Sequence, residues 1–136
     1  KLGKDLDEDV ERLVKLREKF GKRFTIRIDA NQGYTVEQTI AFAKRTAQLD
    51  VELIEQPLPA KQDVRALPEA IRKKVAADEA LLSPADGLSL STAPVAAGIF
   101  NIKLMKCGGV REALRIADIA ALQNIELFWG CNDESI

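Results

Sequence analysis

Three carboxylates and one lysine each stand where a short apolar run ends, at regular intervals along the chain. The carboxylates are Asp29, Glu55 and Asp78, and the lysine is Lys103. The intervals are about 25 residues, the length of one strand, one helix and two short loops. Carboxylate oxygens are the ligands that hard divalent cations prefer, and an amine can act as a general base. If these side chains meet, they predict a divalent-metal site with a base beside it.

The apolar runs themselves predict the strands that would position these side chains. They occupy residues 24–28, 51–54, 75–77 and 100–102, and residues 125–129 form a fifth run. Apolar residues at helical spacing fill the intervals, most clearly at 5–20 and after the capping-box pair Thr35 and Gln38. This alternation is typical of a parallel sheet, and in a barrel the carboxyl ends of consecutive strands converge on one mouth. We therefore predict an α/β fold that forms part of a (β/α)8 barrel.

Side-chain alternation along two strands tests whether the charged groups could face the same side. In residues 24–29, Asp29 falls on the face opposite the apolar side chains, and in residues 100–104 Lys103 does the same. Lys106 falls on the other face from Lys103 and precedes two glycines. We therefore expect Lys103, and not Lys106, to be the functional lysine.

Composition excludes several kinds of function. The 136 residues carry 20 basic and 21 acidic side chains, so the net charge of −1 gives no support to nucleic-acid or membrane binding. Histidine is absent, which removes the commonest general base and transition-metal ligand. Two cysteines, Cys107 and Cys131, are too few for a disulfide framework. We expect both to be reduced packing residues in a cytoplasmic protein.

Five motifs at the predicted strand ends together resemble the enolase superfamily. They are Asp29-Ala-Asn31, Glu55-Gln-Pro57, Ala77-Asp-Glu79, Asn101-Ile-Lys-Leu-Met-Lys-Cys-Gly-Gly109 and Gly130-Cys-Asn-Asp-Glu-Ser135. Within the superfamily they are most similar to the muconate-lactonizing-enzyme subgroup, and in particular to dipeptide epimerases of the L-Ala-D/L-Glu type. The motifs occur in order and at barrel spacing, so the resemblance covers essentially the whole chain.

The resemblance implies a metal, two bases and a reaction. It implies Mg²⁺, with Mn²⁺ as an alternative, held by Asp29, Glu55 and Asp78. It also implies catalytic lysines on the second and sixth barrel strands, here Lys1 and Lys103, with another lysine upstream of Lys1. The implied enzyme is an isomerase that removes the proton next to a carboxylate and returns it from the other face. Its substrate would be a small carboxylate, with a dipeptide favoured.

Other residues in the motifs admit either a site role or a structural one. Asn31 could assist the metal ligands or simply make a turn, and Glu79 could support the ligands or form an ion pair on the helix side. Asp133 and Glu134 follow the fifth run, and Glu134 matches an acidic position common in the subgroup. We take both as candidate substrate-binding residues. Gln56 fits a structural role better than a substrate contact.

Several other functions stay open at this point. The resemblance also admits a muconate-type cycloisomerase, an o-succinylbenzoate synthase or an N-acylamino acid racemase, although the last two usually have proline where Leu104 stands. A Schiff-base aldolase would also place a lysine on the sixth strand, but it has no use for three metal-spaced carboxylates. The chain could also be an inactive scaffold that binds metal.

The chain is short for this fold, since a complete barrel takes about 250 residues. We assign residues 1–136 to part of an enolase-superfamily C-terminal barrel domain, from the end of the second strand through the seventh. The capping domain and the eighth strand of the family are not visible in it. We expect these residues alone to be inactive, and the complete protein to be a homo-oligomer.

Overall fold

The computed structural model describes residues 1–131, in which five parallel strands alternate with helices. The strands are β1 (Ile26–Asp29), β2 (Val51–Glu55), β3 (Val75–Ala77), β4 (Ile99–Ile102) and β5 (Glu126–Trp129). The helices are α1 (Leu6–Phe20), α2 (Val36–Arg45), α3 (Glu69–Arg72), α4 (Pro84–Ser91), α5 (Leu104–Cys107) and α6 (Val110–Leu122), with short 3₁₀ turns at Ala47–Leu49 and Val64–Ala66. The strands pair in chain order, which confirms the predicted partial barrel.

Capping residues in the sequence determine where the main helices begin. The side chain of Asp5 accepts hydrogen bonds from two backbone N–H groups in the first turn of α1, which ends at Gly21. Thr35 and Gln38 form the predicted capping box of α2, and Ser83 caps α4. These side chains satisfy backbone donors that have no partner within the helix. Helices α1 and α2 therefore start at the predicted positions.

The helices cover one face of the sheet, and the other face is the interior of the partial barrel. Phe100 and Ile102 of β4 share a buried cluster with Ile116 of α6, and Ile28 of β1 shares another with Leu13 of α1. A smaller cluster lies on the interior face and contains Leu53, Ala76 and Ile99, with Phe128 packed against it. Because strand side chains alternate, residues two positions after this cluster also face the interior. They lie nearer the carboxyl ends of the strands, at the mouth of the partial barrel.

An irregularity in β2 brings its glutamate to the interior face. Ile26 of β1 pairs with Val51, but the next residue, Arg27, pairs with Leu53, so the register shifts by one residue. Val51 accordingly packs on the helix side, whereas Leu53 joins the interior cluster. Glu55 follows Leu53 by two residues and therefore faces the interior as well.

The sequence argument extended strand alternation to residue 104, beyond the end of the strand. β4 ends at Ile102, and Leu104, which is 44% exposed, begins the short helix α5. Gly108 ends this helix with a φ of 89°, a conformation that glycine adopts without strain. Strand alternation therefore does not apply beyond Lys103, and the argument that placed Lys106 on the wrong face fails.

Two expectations from composition concern thiols and membranes. Cys107 is a buried free thiol, and Cys131 is an exposed one. None of the helices within residues 1–131 is long and apolar enough to span a membrane. The cytoplasmic location stays a prediction.

Candidate metal and proton-transfer site

The carboxyl ends of the strands bring the predicted charged residues to one mouth. Asp29 and Glu55 are paired across β1 and β2, and Asp78 and Lys103 directly follow β3 and β4. A cleft of about 530 Å³ opens there. Its lining consists of Lys1, Asp29, Glu55, Asn101, Lys103, Phe128, Trp129, Gly130 and Cys131. The residues at this end of the sheet thus combine carboxylates, amines and an amide around one open space.

Lys103 lies between two of the carboxylates. Its Nζ is 2.6 Å from Asp78 Oδ2 and 4.0 Å from Glu55 Oε1. Burial is the largest influence on the Lys103 pKa and lowers it, but Asp78 and Glu55 together outweigh burial, so the pKa is raised. In this arrangement the amine is held as an ammonium ion. It can act as a base only when a positive charge elsewhere offsets these carboxylates.

Glu55 carries the strongest electrostatic perturbation among the carboxylates at the mouth. Burial, followed by the neighbouring carboxylates of Asp78 and Asp29, raises its pKa to about 7. Asn101 opposes the shift by donating from Nδ2 to Glu55 Oε1 at 2.7 Å. The mouth therefore concentrates negative charge that the protein compensates only in part, which is the environment that a divalent cation would stabilise.

Lys106 contacts Asp78, although the strand argument placed it on the face opposite Lys103. Because α5 turns the chain back, its Nζ contacts Asp78 Oδ1 and also donates to the Asp78 carbonyl at 2.7 Å and the Asn101 carbonyl at 3.2 Å. Burial lowers the pKa of Lys106. The lysine pair Lys103 and Lys106 holds Asp78 ionised, since both hydrogen bonds lower its pKa although burial alone would raise it.

The donor set fits Mg²⁺ in chemical type, since it consists of three carboxylates on adjacent strands. Within residues 1–131, however, no three Asp, Glu, His or Cys side chains are grouped so that they could hold one metal ion as they stand. Both oxygens of Asp78 contact lysines, and Asp29 Oδ2 is 3.1 Å from Lys1 Nζ. Coordination by these residues would therefore require the lysine ammonium groups to move off the carboxylate oxygens.

Lys1 reaches the same cleft from the β1 edge of the sheet. The N–H of Leu2 donates to the Asp29 carbonyl at 2.7 Å, so the chain before α1 runs beside the end of β1. Asp29 raises the pKa of Lys1, whose side chain is 75% exposed. Strands β1, β2 and β3 separate this position from Lys103 at the end of β4. The two amines thus approach the cleft from two separate segments, the chain before α1 and the end of β4.

The remaining predicted residues within the described chain are a turn residue, Asn31, and a half-buried glutamate, Glu79. Asn31 has a φ of 49°, and its backbone N–H donates to Asp29 Oδ1 at 2.8 Å, so the structure shows it in the turn that holds Asp29. Glu79 has a buried Oε2 without a hydrogen-bond partner among residues 1–131, and it raises the pKa of Lys103 through its charge. Asp133 and Glu134 lie outside the described residues.

Gln56 has the structural role expected for it. Its Oε1 accepts from the backbone N–H groups of Asp78 and Ala80 at 2.9 and 3.1 Å, and its Nε2 donates to the Leu58 carbonyl at 2.8 Å. The side chain is fully buried and joins the ends of β2 and β3. It sets the separation between Glu55 and Asp78 without lining the cleft.

Asn101 is the other residue whose contribution the candidate site list missed. Its side chain is buried, and a Cβ at Gly130 would lie 2.4 Å from its Oδ1, so only glycine fits beside it. The signal was present in the sequence, because alternation places Asn101 on the same face as Lys103. Its hydrogen bond to Glu55 depends on a strand 46 residues away, which alternation along one strand does not show.

Comparison with known proteins places this geometry in a family. Residues 1–136 match the family model described as enolase C-terminal domain-like. The L-Lys-D/L-Arg epimerase of Desulforapulum autotrophicum is 51% identical over 138 residues, which cover 100% of this chain and 39% of that protein.

Solved structures show the same similarity. The dipeptide epimerase from Methylococcus capsulatus complexed with Mg ion superposes with a TM-score of 0.95 at 49% identity, over 98% of this chain and 39% of that one. The same enzyme with Mg and the dipeptide L-Arg-D-Lys gives a TM-score of 0.93 at 50% identity, over 96% and 38% of the two chains. The chain thus spans about 39% of the length of the relatives it matches. It belongs to the enolase C-terminal domain-like family.

Proposed function

We propose that this chain supplies the metal ligands and the proton-transfer lysines of a Mg²⁺-dependent dipeptide epimerase. The observation that carries the proposal is the meeting of three strand-end carboxylates with two lysines that approach one cleft from separate segments. Relatives named as dipeptide epimerases support it. We also propose that residues 1–136 are part of a longer barrel domain, because the relatives they match are more than twice as long.

In this proposal Asp29, Glu55 and Asp78 would hold Mg²⁺. When bound, the ion would offset the second negative charge that develops when a proton leaves the carbon next to a carboxylate. Asn101 orients Glu55 for this purpose, and Gln56 fixes the backbone of Asp78. Mn²⁺ prefers similar oxygen ligands and is the alternative ion.

Proton transfer would be carried out by Lys103 and Lys1. Each must present a neutral Nζ to the substrate carbon in order to remove a proton, and then return it as an ammonium group. The carboxylates that now raise both pKa values would be engaged by the cation, which favours the neutral amines. Amines on the two faces of the carbon would permit removal from one side and return from the other.

Basic dipeptides are the substrates to test first. The two relatives at about 50% identity are both L-Lys-D/L-Arg epimerases, and one solved relative holds L-Arg-D-Lys. Other relatives at 32% and 33% identity are named for hydrophobic and L-Ala-D/L-Glu dipeptides. A panel of dipeptides that spans these three classes separates the alternatives.

The decisive experiment follows α-proton exchange in deuterated water with the intact native protein that carries this chain. Lys103→Ala should lower epimerisation by about 10²–10⁴-fold but still allow exchange into one stereoisomer, and Lys1→Ala should show the opposite preference. Lys61→Ala, at an exposed position away from the cleft, is the control and should leave both rates unchanged.

Three outcomes would contradict the proposal in different ways. Loss of exchange from both isomers in either single variant would exclude two independent bases. Trapping of substrate on Lys103 by borohydride without Mg²⁺ would indicate a Schiff-base aldolase. Binding of Mg²⁺ without any exchange by the unmodified protein would indicate a scaffold.

A further inference from the structure

Asp9 is a buried carboxylate that belongs neither to the metal ligands nor to the hydrophobic core. It lies in the first turns of α1, and its residue surface is 1% exposed. Burying a carboxylate is costly unless hydrogen bonds compensate it. The groups that donate hydrogen bonds to Asp9 therefore indicate which segments of the chain it connects.

Those partners come from the two segments that flank the β1 side of the cleft. Asp9 Oδ2 accepts from the backbone N–H of Gly3 at 2.8 Å and from the hydroxyl of Tyr34 at 2.8 Å. Asp9 Oδ1 lies 3.5 Å from Arg12 Nη1, a long contact on the same helix. One oxygen thus joins the chain before α1 to the loop after β1.

Backbone packing strengthens this junction. Gly3 has a φ of 96°, and a Cβ there would lie 1.9 Å from the Ala30 carbonyl oxygen. A Cβ on Gly33 would in turn lie 1.9 Å from the Gly3 carbonyl oxygen. The two segments are therefore in direct backbone contact, and any residue larger than glycine would separate them.

Tyr34 is held so that its hydroxyl stays a donor. Its residue surface is 2% exposed, its backbone N–H donates to the Pro57 carbonyl at 2.9 Å, and its ring centroid lies 5.6 Å from that of Phe42. Burial and the neighbouring Asp9 raise the pKa of Tyr34. The Tyr34 hydroxyl therefore remains protonated at neutral pH and continues to donate to Asp9.

We propose that Asp9 and Tyr34 are positioning residues that hold Lys1 at its face of the substrate carbon. They do so by tying the Lys1–Gly3 segment to the loop after β1, within two residues of the amine. Lys1 itself is mostly exposed and has one ion pair, with Asp29, so its own side chain does little to fix its backbone. Lys103 needs no such tie, because it directly follows the buried strand β4. The inference rests on the proposed function.

The test compares two α-proton exchange rates in the intact native protein, one for each stereoisomer of a dipeptide substrate. Tyr34→Phe removes only the hydroxyl, and Asp9→Asn keeps the shape of the side chain. Each should slow exchange through Lys1 by about tenfold relative to exchange through Lys103, because misplacing a catalytic group by less than an ångström costs rate. Glu18→Gln, at an exposed position on the same helix, should leave the ratio unchanged.

A second measurement does not depend on substrate. Amide hydrogen exchange of the peptide that contains Gly3 should become faster in Tyr34→Phe and stay unchanged in Glu18→Gln. Equal slowing of both α-proton exchange rates, or unchanged amide protection at Gly3, would overturn the positioning role. If the unmodified protein exchanged neither isomer, the proposed function would fail first and take this inference with it, whereas an unchanged ratio in an active protein refutes only the inference.

Discussion

The two ends of the sheet carry cavities of similar size but different chemistry. At the carboxyl end, a cleft of about 530 Å³ is bordered by carboxylates and amines within hydrogen-bond distance of each other. At the amino end, a hollow of about 380 Å³ lies between the segments that enter β3, β4 and β5. Its lining includes Arg72, Pro94, Val95 and Ile125.

The charged residues at the amino end pair with an opposite charge or with backbone. Glu69 pairs with Lys73 on the surface of α3 at 2.8 Å, and Arg72 donates to the Val95 carbonyl. No carboxylates converge among the residues that line this hollow, which all lie within the described chain. The comparison shows that the two ends differ most in how their charged groups are arranged. Carboxylates converge under partial burial at the carboxyl end and do not converge at the amino end.

The largest expected effect is loss of metal binding when a carboxyl-end ligand is neutralised. Asp78→Asn or Asp29→Asn should weaken Mg²⁺ binding by at least about 100-fold, because each removes a charged oxygen ligand and its electrostatic attraction. Calorimetric titration of the intact native protein measures the affinity. Glu69→Gln at the amino end is the matched control and should bind Mg²⁺ normally. Unchanged affinity in both ligand variants would rule out the proposed site.

The pH dependence of Mg²⁺ binding should follow Glu55. Its pKa of about 7 means that Mg²⁺ must displace a proton below that pH, so affinity should fall by about tenfold per pH unit as pH drops from 7 to 5. Glu55→Gln should bind weakly at every pH and lose the steep dependence. A flat profile for the unmodified protein would show that Glu55 is already ionised.

The same shift predicts the opposite trend for stability without metal. A carboxyl whose pKa rises from 4.5 to about 7 on folding binds its proton more tightly in the native state, so it destabilises the fold progressively as pH rises from 4.5 to about 7. In a chelator, stability should therefore increase as pH falls from 7 toward 5, and Glu55→Gln should remove this slope. Asp78 has a lowered pKa and so acts with the reverse sign, but only below its ordinary value of 3.8. Urea unfolding between pH 7 and 5 measures the Glu55 slope, and unfolding below pH 3.8 measures the Asp78 slope.

A smaller effect is expected at Gln56, whose side chain joins the ends of β2 and β3. Gln56→Ala leaves the backbone N–H groups of Asp78 and Ala80 without their acceptor and should lower the free energy of unfolding by about 1–3 kcal/mol. It should also weaken Mg²⁺ binding severalfold, since Asp78 loses its backbone support. Gln62→Ala, at an exposed position, is the control for stability and affinity. Normal metal affinity in Gln56→Ala would limit this residue to folding.

The smallest effect tests the amino end directly. Lys73→Met changes a mostly exposed charge beside the 380 Å³ hollow and should leave Mg²⁺ affinity and α-proton exchange within about twofold, because solvent and salt screen that distance. A larger change in either quantity, measured as above, would mean that the two ends of the sheet are coupled.

The sequence by itself determined the local elements and the residues at their ends. Caps such as Asp5, Thr35 and Ser83 act within one helical turn, and alternation along a strand acts over two residues. Regular spacing then placed Asp29, Glu55 and Asp78 at successive strand ends. Each of these signals depends on neighbours in the chain, so no knowledge of the folded molecule was needed.

Tertiary structure alone decided how the charges engage one another. Lys106 reaches Asp78 because α5 reverses the chain, and Asn101 meets Glu55 across 46 residues. Asp9 joins Gly3 to Tyr34 in the same way, through a contact between an N-terminal segment and a later loop. Local patterns specify which face a side chain takes, but a contact between distant segments depends on the packing of both. The positions of the charged residues at the strand ends could therefore be predicted, and the contacts between them could not.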